Sequence, residues 1–175
     1  MANIVLTGFM GTGKSTIGRV LSRETGLKFM DLDELIEREA GMAIKDIFRE
    51  RGEGCFRDME SGVIRRLTQG EFGNGLIVST GGGAVVRKEN RDALRSWGTV
   101  VCLSSTVDEI LRRVENRDDR PLLNTVEKKE AIERLLKERE EAYGDCDLVV
   151  DTASVSLKEA VRAIKNFVEE RTKNR

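Results

Sequence analysis

The stretch Gly8-Phe9-Met10-Gly11-Thr12-Gly13-Lys14-Ser15 fits the pattern G-x-x-x-x-G-K-[ST] and begins only a few residues into the chain. Its neighbours are the ones the pattern requires. Ile4-Val5-Leu6 reads as a short buried strand before it, and Ser15 to Glu24 reads as a helix after it. A loop of this kind turns tightly on its glycines and points backbone N–H groups inward, at the positive end of the following helix. That arrangement cradles phosphate. Gly11, Thr12, Gly13, Lys14, Ser15 and Thr16 are therefore the candidate contacts for a nucleoside triphosphate. Lys14 is placed to reach the β- and γ-phosphates, and the Ser15 hydroxyl to take a position on Mg²⁺.

The rest of the chain continues an α/β pattern. Lys28 to Asp31 reads as a second strand, followed by a helix over Glu34 to Ala40 with Asp33 as its cap and Gly41 as its stop. Ile44 to Glu50 and Phe56 to Thr68 are helical stretches broken near Gly52 and Gly54. Leu76 to Ser79 is the third strand, Lys88 to Ser96 a helix, and Thr99 to Leu103 the fourth strand. Val107 to Glu115 is a helix capped by Ser105 or Thr106, and a charged segment from Asn116 to Thr125 follows it. Val126 to Tyr143 reads as one long helix, Leu148 to Val150 as the fifth strand, and Leu157 to Arg171 as the closing helix. Short apolar strands alternating with amphipathic helices make a parallel sheet covered on both faces. Its ligands belong at the carboxyl ends of the strands.

Size and composition narrow the function. The 175 residues suffice for a single domain with its own core. Thirty basic residues against 31 acidic ones leave a net charge of −1, which argues against a general nucleic-acid binder. No apolar run approaches the ~20 residues needed to span a bilayer, so no membrane association is expected. Cys55, Cys102 and Cys146 are odd in number and widely spaced, which suggests neither disulfides nor a zinc site. Cys102 lies in an apolar run and reads as a core residue, and a reduced cytoplasmic enzyme is the simplest reading. Histidine is absent, so any general base must be a carboxylate, a lysine, a tyrosine or water.

Several constellations lie at the expected strand ends. Asp31-Leu32-Asp33 closes the second strand, where residues i and i+2 of an extended chain face one way. One carboxylate suits Mg²⁺, directly or through water, and the other a substrate hydroxyl; capping by Asp33 is the competing explanation. The third strand ends in Ser79-Thr80-Gly81-Gly82-Gly83 with no acid, which leaves Asp31 as the candidate outer carboxylate for the metal. The three glycines offer bare backbone for close approach of a substrate. Arg57 and Glu60 are i, i+3 neighbours on a helix, and a guanidinium so oriented suits a carboxylate on the substrate; a plain surface ion pair is the competing explanation. The charged segment around Arg117 and Arg120 has the makings of a mobile lid over about 112–126.

Taken together these residues resemble the shikimate kinase family along nearly the whole chain. The phosphate loop runs into Ser15-Thr16-Ile17-Gly18, and Asp31-x-Asp33 is followed by Ile36-Glu37, Gly41, Ile44, Ile47-Phe48, Gly52-Glu53, Phe56-Arg57 and Glu60 at family spacing. The Gly81-Gly82-Gly83 strand end, Arg120-Pro121-Leu122-Leu123, and Arg139 four residues before Tyr143 complete the set. The resemblance implies a P-loop kinase with a three-layer α/β/α fold around a five-stranded parallel sheet of order 2-3-1-4-5. It implies a substrate-binding region at about 32–62, a lid, and transfer of the ATP γ-phosphoryl group to the 3-hydroxyl of shikimate in chorismate and aromatic amino acid biosynthesis. Carried over, Asp33 contacts the accepting hydroxyl and is the candidate base, beside catalytic Lys14 and Arg120. Arg57 and Arg139 bind the substrate carboxylate, Glu60 orients Arg57, Phe48 and Phe56 wall the ring, and Gly81, Gly82 and Gly83 line the site. Arg113 packs on the adenine, Lys14 and Arg120 contact phosphates, and Ser15 and, through water, Asp31 serve Mg²⁺. The resemblance implies a probable monomer whose partners are ATP and shikimate. Asp151-Thr152-Ala153-Ser154-Val155 departs from the pattern, since many relatives carry arginine or proline there. Two alternatives are a kinase for another small hydroxy acid such as gluconate, and a non-catalytic ATP-dependent regulatory module.

Overall fold

In the computed structural model, residues 2–114 and 128–173 are described. The strands β1 (Ile4–Thr7), β2 (Lys28–Asp31), β3 (Leu76–Ser79), β4 (Thr99–Ser104) and β5 (Leu148–Asp151) form one sheet in the order β2-β3-β1-β4-β5. All pairings are parallel. The helices are α1 (Lys14–Thr25), α2 (Leu32–Ala40), α3 (Ile44–Thr68), α4 (Lys88–Trp97), α5 (Val107–Val114), α6 (Lys128–Glu138), α7 (Glu140–Gly144) and α8 (Leu157–Lys173).

Side chains on a strand alternate between the two faces of the sheet. Ile4, Leu6, Ile77, Val101, Leu103 and Val150 therefore share one face, where they meet Ile17 and Leu21 of α1 and Ala160, Val161 and Ile164 of α8. Val5, Val78, Val100 and Cys102 look the other way, onto residues of α2 to α7 such as Leu35, Ile64, Leu94, Ile110 and Ile132. Burial on both faces explains why the central strands are apolar without a polar alternate. The layers and strand order are those the sequence implied.

Three local details differ from the sequence reading. Asp31, not Asp33, caps α2: its Oδ1 accepts from the Asp33 amide at 3.1 Å, and the helix begins at Leu32. Asp33 sits inside the first turn, where negative charge is favoured by the helix dipole. The two carboxylates thus enter the cleft from a strand end and a helix start, not from one extended face. Second, the expected helix over 126–143 is divided at Arg139, whose φ of −108° and ψ of 6° separate α6 from α7. Third, the break in α3 falls on Gly52 alone, at φ 81° and ψ 164°. The side chain capping α5 is that of Thr106, whose hydroxyl accepts from the Glu109 amide at 3.3 Å. The expected lid begins in the last turn of α5, and 115–127, with Arg117 and Arg120 to Leu123, lie outside the described residues.

Register determines where chemistry can occur. β1 lies between β3 and β4, and Leu6 pairs with Ser79 and Thr7 with Cys102. Asp31 pairs with Ser79 on the far side of β3. The phosphate loop, the Asp31–Asp33 corner and the glycine turn consequently leave the sheet at one edge. Thr80 ties two of them together, donating to the Leu6 carbonyl from its amide at 3.0 Å and from its hydroxyl at 3.3 Å.

Candidate active site

The carboxyl ends of the strands open into a cleft of about 690 Å³ lined by the phosphate loop from Met10 to Thr16, by Asp31, Asp33, Ser79, Thr80 and Gly82, and by Arg113 and Thr152. Lys14 is buried, and its ammonium donates to the carbonyls of Gly8 and Phe9 at 2.9 Å each, so the lysine is folded back along its own loop. The Thr12 hydroxyl donates to the Phe9 carbonyl at 2.7 Å and closes the same turn. Gly11, Gly13, Ser15 and Thr16 stand around it on the cleft wall.

Ser15 Oγ donates to Asp31 Oδ2 at 2.6 Å, while the other carboxylate oxygen caps α2. A hydroxyl and a carboxylate oxygen held together beside a phosphate cradle are hard donors of the kind Mg²⁺ takes. Among the described residues no group of three or more acidic, cysteine or histidine side chains is arranged to cage a metal.

On the nucleotide side, Arg113 is fixed from both directions. It donates to the Gly11 carbonyl at 3.1 Å, to Thr152 Oγ1 and O at 3.1 Å each, and to Glu109 Oε1 at 2.7 Å. Thr152 in turn anchors to the Ser104 carbonyl through its amide at 2.9 Å and its hydroxyl at 3.0 Å. The loop that lacks the relatives' arginine or proline is thus pinned to the phosphate loop by Arg113.

A second group of charged side chains is built around the glycine turn. A Cβ on Gly81 would lie 2.5 Å from Glu60 Oε1 and 2.7 Å from Asp33 Oδ1, and one on Gly83 would lie 2.5 Å from Arg57 Cζ. Side chains larger than hydrogen would displace all three charged groups. Arg57 pairs with Glu60, whose side chain is 2% exposed, and with Glu53 at 3.0 Å. The guanidinium of Arg57 also lies over the Phe56 ring at 5.2 Å, and Phe56 and Phe48 have ring centroids 5.0 Å apart. From the opposite side Arg139, 7% exposed, donates to the Gly82 carbonyl at 3.1 Å and stands 5.9 Å from the Phe9 ring centroid. The chain does fold back to bring Arg139 to the glycine turn. Asp33 and Gly82 line the open cleft, whereas Arg57 and Glu60 stand against the turn and Arg139 donates to it.

Sequence comparison decides the family. The chain matches the shikimate kinase family model over residues 10–169. It is 47% identical to a shikimate kinase of Geobacter sulfurreducens, over 96% of this chain and 91% of that protein. The chain belongs to the shikimate kinase family. A shikimate kinase structure from Acinetobacter baumannii, in complex with shikimate, superimposes with a TM-score of 0.91 at 34% identity, covering 98% of this chain and 94% of that one. A gluconokinase of Sinorhizobium meliloti shares the fold alone, with 18% identity and a TM-score of 0.62 over 99% of this chain and 94% of that one. As a member of the shikimate kinase family the chain is a phosphotransferase with ATP as co-substrate, and the regulatory-module alternative falls away.

The electrostatics around the glycine turn centre on Glu60. Burial raises its pKa to about 7; Arg57 pulls it down, Asp33 raises it further, and Arg139 lowers it. Burial also acts against the charge on Arg57, but Glu60 and Glu53 outweigh it and hold the guanidinium more firmly protonated. Between pH 4.5, the ordinary Glu value, and about 7 the folded protein keeps a proton that the unfolded chain has released. Stability from this group is therefore complete below the lower value and is lost as pH rises through the upper one. At ~1.4 kcal/mol per unit the loss is about 3 kcal/mol. Urea unfolding of wild type and Glu60→Gln at pH 5 and pH 8 should show a difference in stability that changes by about that amount. A difference independent of pH would contradict the raised pKa.

Several neighbours of the site were not foreseen. The Tyr143 hydroxyl donates to the Gly82 carbonyl at 2.5 Å, so Gly82 is held by two side chains of one segment. Glu37 accepts from the Ile44 amide at 2.8 Å and supplies the cap that Ala43 lacks, which fixes the start of α3 at the cleft rim. Ser156, Leu157 and Ala160 line the nucleotide side. The signal for that segment was present, since Ser156 and Glu159 form a capping box in which Glu159 accepts from the Ser156 amide at 2.8 Å. Glu53 was also legible as the i−4 neighbour of Arg57.

Proposed function

We propose that the chain transfers the γ-phosphoryl group of ATP to the 3-hydroxyl of shikimate, giving shikimate 3-phosphate and ADP, and that the two halves of the cleft divide the work. The observation that carries this reading is the gathering of Asp33, Arg57, Glu60 and Arg139 around one glycine turn that hydrogen-bonds to the strand bearing the phosphate loop. A hydroxylated carboxylic acid supplies what each of those groups needs: an anion for the arginines and a hydroxyl for Asp33. The solved Acinetobacter relative is a complex with shikimate, which supports the same acceptor here.

On this reading Lys14 leaves the Gly8 and Phe9 carbonyls to meet the β- and γ-phosphates, and Gly11 to Thr16 supply the surrounding cradle. Ser15 and, through water, Asp31 hold Mg²⁺, which when bound neutralises phosphate charge. Arg113 flanks the adenine, and Arg120, outside the described residues, is assigned to the phosphates from the family resemblance. Asp33 accepts or orients the proton of the 3-hydroxyl. Phe48 and Phe56 wall the ring, and Gly81 to Gly83 keep the turn thin enough for the charged groups to converge. No helix of the described residues is long and apolar enough to cross a membrane. A monomeric cytoplasmic enzyme is the reading carried over from the family resemblance.

The test is an acceptor panel at saturating MgATP with shikimate, gluconate and other small hydroxy acids. Shikimate should exceed the others in kcat/KM, and the product should carry phosphate at the 3-position by NMR. A preference for gluconate would overturn the assignment.

A further inference from the structure

Arg57, the proposed grip for the acceptor's carboxylate, is already engaged by two carboxylates, and they hold it in different ways. Glu60 pairs with Nη1 from within the core, with its side chain 2% exposed. Glu53 uses a single oxygen, Oε1, to accept from both Nε at 3.2 Å and Nη2 at 3.0 Å, and its side chain is 50% exposed. Nε and Nη2 form one of the edges through which a guanidinium grips a carboxylate bidentately. Glu53 therefore stands on a docking edge of Arg57.

The charges make this arrangement crowded. Glu53 and Glu60 both pair with Arg57 beside the glycine turn. A further carboxylate on that guanidinium is poorly accommodated while both acids stay. Glu60 is locked in the core. Glu53 is the one set to leave. It follows Gly52, where the helical φ and ψ are interrupted. A Cβ on Gly52 or on Gly54 would meet nothing within 4 Å, so the backbone on both sides has open space.

We propose that Glu53 is a positioning and specificity-determining residue, an internal carboxylate that holds Arg57 and gives way when the acceptor's carboxylate arrives. It keeps the guanidinium aimed and neutralised until then, and it sets a threshold that a neutral acceptor cannot overcome by exchange. The acceptor's anion replaces one ion pair with another, whereas an uncharged analogue would leave Glu53 where it is. This inference rests on Arg57 binding the acceptor's carboxylate.

The experiment is steady-state kinetics of Glu53→Gln and Glu53→Ala, with shikimate and with its carboxamide as acceptors. Removing a half-exposed competing ion pair should lower the KM for shikimate about two- to fivefold, with kcat and the KM for ATP unchanged. The shift should vanish in an Arg57→Ala background, because the two residues act through one contact. A raised or unchanged shikimate KM in both variants, with thermal midpoints like wild type, would overturn the proposal. Arg57→Ala alone separates the two claims: it should weaken shikimate and spare ATP. If Arg57→Ala leaves the shikimate KM unchanged, the reading of Arg57 fails. If it raises that KM while the Glu53 variants do not lower it, only the exchange proposal fails.

Discussion

Asp33→Asn should lower kcat about 10²–10⁴-fold, the range lost with a positioned general base, while the KM for shikimate changes little. Asparagine keeps the shape that fits beside Gly81 but no longer offers a carboxylate oxygen to the 3-hydroxyl. The substitution also removes a negative charge facing Glu60, and Asp33 is one of the groups that raises the Glu60 pKa. The Glu60 carboxyl should therefore titrate lower in the variant, detectable by NMR as a second, independent signature of their contact. If the loss falls instead on KM with kcat intact, Asp33 only places the substrate.

Lys14→Met should be comparably severe, with kcat down about 10²–10³-fold or more, as when a donor to developing transition-state charge is removed. The structure adds a second consequence. The ammonium donates to two carbonyls of its own loop, and methionine would leave both without that donor. ATP affinity should fall as well, because the loop loses a contact that shapes it. Stopped-flow or isothermal titration with a non-hydrolysable ATP analogue separates the effects. Unchanged kcat in this variant would remove Lys14 from the phosphoryl-transfer machinery.

What was readable in the sequence and what was not follows from the range of the interactions. The three central strands β1, β3 and β4 were legible because each is a short apolar run buried on both faces, so burial acts in the same direction as local propensity, whereas the edge strands β2 and β5 are only partly buried. Arg57 and Glu60 were legible because i and i+3 meet on any helix. The break at Arg139 was not. No glycine or proline marks it, and the apolar spacing from Ile132 through Leu135 to Ala142 and Tyr143 continues across it. The interruption arises from tertiary structure, where Arg139 and Tyr143 both converge on the Gly82 carbonyl some sixty positions earlier in the chain. The capping of α2 was misassigned for a related reason. Asp31 and Asp33 are both good cap residues, and only the position of Ser15, on another element, shows that Asp31 serves the helix and the phosphate loop together. The closeness of Asp33 to Glu60 was not visible in the spacing, because it arises where Gly81 lets two helices meet at the strand end.

The central claim is that one cleft joins a phosphate donor to a carboxylated hydroxyl acceptor. It is tested most directly by measuring ADP release from MgATP in the absence and presence of shikimate, with shikimate 3-phosphate quantified in the same reactions. The account predicts that shikimate raises ADP release many-fold and that ADP and shikimate 3-phosphate appear one for one. ADP release that is indifferent to shikimate, or that proceeds without forming the 3-phosphate, would contradict it.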